Sequence, residues 1–115
     1  MQFEDLEVWK KSHLLTVSIF KLLSTCKDYG FKDQITRASL SIPSNIAEGF
    51  DRFSNKDTIR FLYYAKASCA EVRAQIYVGR DIGLIAPDIA SRWILDVLSI
   101  SKMLHGLIAS YSRRS

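Results

Sequence analysis

Apolar residues recur at intervals of three and four along most of this 115-residue chain, in four stretches separated by short connections. Such spacing gathers side chains on one face of an α-helix, whereas a half-buried strand would alternate at every second residue. No stretch sustains that alternation, so the predicted fold is all-α. Only five glycines and two prolines are available to break elements, so the helices should be long. Long amphipathic helices joined by short connections pack most simply as an up-down four-helix bundle around one core. The length accommodates one such domain, residues 1–115.

The first helix, from Asp5 to about Lys27, carries two apolar stripes. One runs through Leu6, Trp9, Phe20 and Leu23, the other through Val8, Leu15, Ile19, Leu22 and Cys26. A helix in a monomeric bundle needs one apolar face, so the second stripe predicts burial against another subunit. Tyr29-Gly30 is expected to end this helix. The second helix should span about Lys32 to Phe50, with Ile35, Ala38, Ile42, Ile46 and Phe50 holding one phase across Pro43. A proline there removes a helical hydrogen bond and crowds the preceding turn, which predicts one kinked helix. A helix that stops at Leu40 and restarts is the alternative.

Arg52-Phe53-Ser54 reads as a connection, with Ser54 capping a third helix and Asp57 three residues beyond it. The core face of that helix is Leu62, Ala65, Cys69, Val72 and Ile76, and its end is expected between Gly79 and Gly83. Pro87 suits the first turn of a fourth helix, whose face is Ile89, Trp93, Val97, Ile100, Leu104, Leu107 and Tyr111. Ile94 and Leu98 form a partial flank beside it.

Several functional classes find no support in these residues. Charge interrupts every apolar run before the roughly 18 residues of a membrane span, so no membrane partner is expected. Glu4, Asp5 and Glu7 stand where a secretory signal would carry positive charge, which leaves a cytoplasmic location as the default. Cys26 and Cys69 have no paired spacing for zinc or a disulfide framework, and read as reduced core thiols. A bundle di-metal site needs Glu-x-x-His, but Lys10 precedes His13 and Lys102 precedes His105 at that spacing. There is no nucleophile elbow and no P-loop. The expectation is a non-enzymatic protein without a cofactor.

Two polar features remain. Along the second helix Gln34, Arg37, Ser41, Asn45, Glu48 and Arg52 recur at three- and four-residue intervals, forming one stripe in which Glu48 and Arg52 are placed to pair. It reads either as a hydrogen-bonded ladder between helices or subunits, or as a surface contacting a phosphate backbone or a protein partner through its arginines. On the third helix Lys66, Arg73 and Arg80 stand seven residues apart, with Lys56 and Arg60 on a neighbouring face. A net charge of +4 permits a polyanionic partner without requiring one. The row is readable as a solvated face with long stems over apolar surface, or as a track for an anionic backbone.

The segment Ser41-Ile-Pro-Ser-Asn-Ile-Ala-Glu-Gly49 resembles the small bacterial family known from open reading frames inside intervening sequences of 23S ribosomal RNA genes. That family looks related to the accessory variability protein of diversity-generating retroelements. Phe3-x-x-Leu6-x-x-Trp9, Gln34-Ile35-x-Arg37-Ala38, Arg52, Ala65, Ser68, Glu71, Gln75 and Gly83 extend the likeness over nearly the whole chain. Ala67 and Arg73 depart from the family's usual glycine and acidic residue. The resemblance implies a four-helix bundle assembled as a homopentameric ring, with no catalytic reaction. In the retroelement branch it implies binding to nucleic acid and a reverse transcriptase. The expected function is therefore an oligomeric accessory protein that binds structured RNA or a ribonucleoprotein through Arg37, Arg52, Lys56, Arg60, Lys66, Arg73 and Arg80. A protein-interaction scaffold is the alternative.

Overall fold

A computed structural model describes residues 1–114. A short 3-10 turn, Phe3–Asp5, leads into α1 (Glu7–Leu22), α2 (Tyr29–Phe50), α3 (Asn55–Asp81) and α4 (Pro87–Arg113), and no strand occurs among the described residues. The short connections reverse the chain at each step. Each helix packs on the next, and α1 also meets α4, closing a rod of 46 × 21 × 19 Å.

All the residues expected on the core face of α3 are buried, from Leu62 to Ile76. Ile35, Ala38, Ile42 and Ile46 meet them from α2. Fully burying such a side chain is worth about 1.5–3 kcal/mol, so this pair of faces is the main seam of the fold. On α4 the stripe drifts with the 3.6-residue turn, and Ala90 and Ile108 complete its buried face. Ile89, Leu107 and Tyr111, expected there, lie half-buried at its border.

Helix α1 follows the second predicted stripe through Val8, Leu15 and Ile19 but leaves it beyond them. Its buried line runs through Val8, Ser12, Leu15, Thr16 and Ile19 to Leu23, while Phe20 and Leu22 stay exposed. Ser12 and Thr16 can occupy core positions because both hydroxyls are satisfied: Ser12 donates to the Trp9 carbonyl at 2.9 Å, and Thr16 reaches the carbonyls of Ser12 and Ser39, each at 2.9 Å. Their small size lets α1 approach α2 closely.

Helix boundaries also differ from expectation. Tyr29-Gly30 begins α2 instead of ending α1, because the Asp28 carboxylate accepts the Phe31 N–H at 3.1 Å and caps the new helix. Helix α2 is unbroken through a buried Pro43, which rules out the stop-and-restart alternative. Proline lacks the N–H that would bond the carbonyl four residues back, which is that of Ser39. The Thr16 hydroxyl takes that place from the neighbouring helix.

The predicted Ser54 cap is present, its hydroxyl accepting the Asp57 N–H at 3.1 Å. Just before it, α2 and α3 come into backbone contact. The Thr58 hydroxyl donates to the Gly49 carbonyl at 2.9 Å, and a Cβ on Gly49 would lie 2.9 Å from the Phe61 Cβ. At the far end Gly83 takes a left-handed φ of 81° and turns the chain toward α4. Although it contains no unbroken apolar run, α4 is long and apolar enough by composition to cross a bilayer. In the bundle one face of it is core, and Leu95 and Leu98 are left exposed on its outside.

Candidate nucleic-acid interface

The α2–α3 corner is built by three local rules. Arg52 follows Glu48 by one helical turn, so the two pair. Gly49 admits α3 close enough to set Phe61 under the end of α2. The Ser54 cap then orients the first turns of α3, which carry Lys56, Arg60 and Tyr64. As a result the Arg52 guanidinium lies 4.7 Å from the Phe61 ring centre and that of Arg60 lies 5.0 Å from it. Tyr64 meets the same ring edge-on at 5.6 Å.

A hydrogen bond to Tyr64, with Asp57 also beside it, raises the Arg60 guanidinium above its ordinary value, so it stays cationic. Arg60 pairs with Asp57 at 3.3 Å. Phe53, at the apex of the connection, is fully exposed. Sequence reasoning singled out Arg52, Lys56 and Arg60 but missed Phe53 and Phe61. The placement of Phe61 depends on the close approach at Gly49, which spacing along one helix does not encode.

The remaining candidate cations do not join this corner. Arg73 borders a small cleft with Val97, Leu98 and Ser101 of α4, and Lys66 lies near enough to Cys69 to bear on its thiol. At about 100° per residue, Lys66 points roughly 120° away from Arg60 around α3. Arg80 is held by Asp81 at 2.8 Å and lies 5.0 Å from the Tyr77 ring. The Arg80 hydrogen bond lowers the Asp81 carboxyl below its ordinary value. Arg37 pairs with Asp33 on the exposed side of α2, about 22 Å along the helix from Arg52 by the helical rise. Lys56, Lys66 and Arg73 make no ion pair among the described residues.

The polar stripe of α2 divides in the same way. Ser41 shares a hydrogen bond with Ser68 of α3 at 2.7 Å, and the Asn45 amide donates to the Ser41 carbonyl at 2.8 Å and its hydroxyl at 3.0 Å. The middle of the stripe is therefore a ladder between helices. Its ends, Gln34 and the Glu48–Arg52 pair, face outward. Gln75, named in the sequence only for the family likeness, has a buried side-chain oxygen without a hydrogen-bond partner among the described residues.

A second surface lies between α1 and α4, an open groove of about 890 Å³. Leu14, Leu22, Ile89 and Trp93 line it, with Lys21 and Arg92 beside them and a Lys11–Asp96 pair at 3.9 Å. Leu14 is 65% exposed. The exposed apolar residues of α1 therefore include Leu14, which belonged to neither predicted stripe. No group of three or more His, Cys, Asp or Glu comes together among the described residues.

Comparison with known proteins agrees with this architecture. The crystal structure of a protein of unknown function from the S23 ribosomal protein family of Bacteroides thetaiotaomicron superposes with a TM-score of 0.83 at 27% identity, covering 88% of this chain and 97% of that one. No curated protein matches the chain. The sequence model for the 23S rRNA-intervening sequence protein matches residues 4–106, nearly the whole bundle. This four-helix chain therefore belongs to the 23S rRNA-intervening sequence protein family.

Proposed function

We propose that this protein is a non-catalytic, oligomeric accessory protein of the cytoplasm that binds structured RNA, or an RNA–protein complex, through its basic surface. The observation that carries this reading is the set of unneutralised cations on α3: Lys56, Lys66 and Arg73 have no carboxylate partner among the described residues. They lie along one long helix, a layout suited to successive phosphates. The family's association with 23S rRNA intervening sequences supports RNA as the polyanion.

Self-association, as a homopentamer by family resemblance, is supported by the α1–α4 groove and by exposed Leu14 and Leu22. Repetition around a ring would multiply the phosphate contacts. Binding should then weaken steeply with salt, since log K falls by roughly 0.7–0.9 per phosphate for each tenfold rise in concentration. Titrating a structured RNA at several salt concentrations tests this, and Lys66→Glu with Arg73→Glu should flatten the slope. No binding at low salt would refute it. The same groove also favours a second reading, a scaffold whose apolar face docks a different protein. A stoichiometric protein partner that survives nuclease treatment would support that reading instead.

A further inference from the structure

We infer that the α2–α3 corner is a stacking site for one unpaired nucleobase of the bound RNA, an inference that rests on the RNA-binding reading above. The charge at the corner argues against a simple phosphate site. Arg52 pairs with Glu48 and Arg60 with Asp57, which leaves Lys56 as the one cation of the corner without an ion pair among the described residues. Lys56 alone remains free to attract a phosphate. Planar surface is what the corner has in excess.

Both guanidinium groups lie about 5 Å from the Phe61 ring centre, Tyr64 meets that ring edge-on, and Phe53, next to Arg52 in the chain, has its whole side chain in solvent. Aromatic rings and guanidinium planes are the surfaces on which splayed-out bases stack, whatever their sequence. The residues flanking Phe53 in the chain, Asp51, Arg52, Ser54 and Asn55, are polar. In this arrangement the base stacks on the exposed Phe53 ring beside the arginine-bearing corner, and Lys56 takes a flanking phosphate. A fully paired helix keeps its bases stacked inside and cannot use the site.

The test compares a short RNA hairpin carrying 2-aminopurine in its loop with a blunt duplex of equal phosphate number. The wild type should bind the hairpin more tightly and quench the loop fluorophore. Phe53→Ala, at a position that makes no core contact, should weaken hairpin binding about tenfold, abolish the quenching and leave duplex binding unchanged. That loss should be the same at low and high salt. Equal hairpin affinity for wild type and Phe53→Ala, with binding still reduced by Lys66→Glu and Arg73→Glu, overturns the stacking site and leaves the RNA-binding function standing. Failure of the wild type to bind either RNA overturns both and leaves Phe53 to a protein partner.

Discussion

Thr16 of α1 donates its hydroxyl to the carbonyl of Ser39 on α2 at 2.9 Å, the acceptor left without its helical N–H by Pro43. One helix thus repairs a defect in its neighbour, and the repair should be measurable as coupling. Thr16→Val, which keeps the shape and removes the donor, is expected to cost about 1–3 kcal/mol, since it strands a buried carbonyl. In a Pro43→Ala background the residue-43 N–H returns and the same change should cost less. Denaturant unfolding of the four proteins gives the interaction energy directly. Equal costs in the two backgrounds would show that Thr16 does not serve the acceptor freed by proline.

Glycine substitutions should separate a crowded helix position from an open one. Gly49→Ala places a methyl group 2.9 Å from the Phe61 Cβ and 3.2 Å from the Thr58 carbonyl oxygen, atoms that cannot move without shifting α3. It is expected to destabilise by roughly 1–3 kcal/mol, the range of an overpacked core, and to disturb the Arg52–Phe61 contact. Gly106 sits inside α4, where an added methyl group would meet nothing within 4 Å. There alanine should stabilise by about 1 kcal/mol through helix propensity. Thermal unfolding distinguishes the two signs.

Leu14 is the residue through which to test assembly. Leu14→Glu puts a charge among the exposed residues lining the α1–α4 groove without touching the buried line of α1. The expected result is a fall in solution mass to the monomer with helical content retained, read by light scattering and circular dichroism. An unchanged mass would move the subunit contact away from this groove.

Burial pushes the Cys69 thiol up to about 12 from 9.0, with nearby Lys66 acting in the opposite direction. The folded protein therefore keeps this proton where the unfolded chain releases it. The associated stability is complete below about pH 9 and is lost as pH rises toward 12, at up to about 1.4 kcal/mol per pH unit. The stability difference between wild type and Cys69→Ala should shrink over that window. At pH 8 an alkylating reagent should label half-buried Cys26 well before Cys69.

Features written within one helix were the legible ones. The buried face of α3 and its Ser54 cap follow from spacing and a single hydroxyl, and both were readable from the chain. The buried line of α1 was legible only at Val8, Leu15 and Ile19, because Ser12 and Thr16 are polar and their fitness for the core depends on acceptors, one of them on another helix. The corner was half legible for a similar reason. Arg52, Lys56 and Arg60 stand out as charges, but the ring that organises two of them reaches α2 through the space left by Gly49. The candidate cations also read as one basic surface along the chain, whereas helix geometry turns Lys66 and Arg73 away from Arg60.

The alternating direction of the helices has a practical consequence for experiments. By the up-down order of the helices, the first turn of α1 and the last turn of α4 lie at the same pole of the 46 Å rod as Phe53, while the turn at Gly83 occupies the opposite pole. A purification tag on either end would crowd the stacking corner and either mimic or mask its ligand. A dye attached near Gly83 reports from the far pole and leaves that corner free.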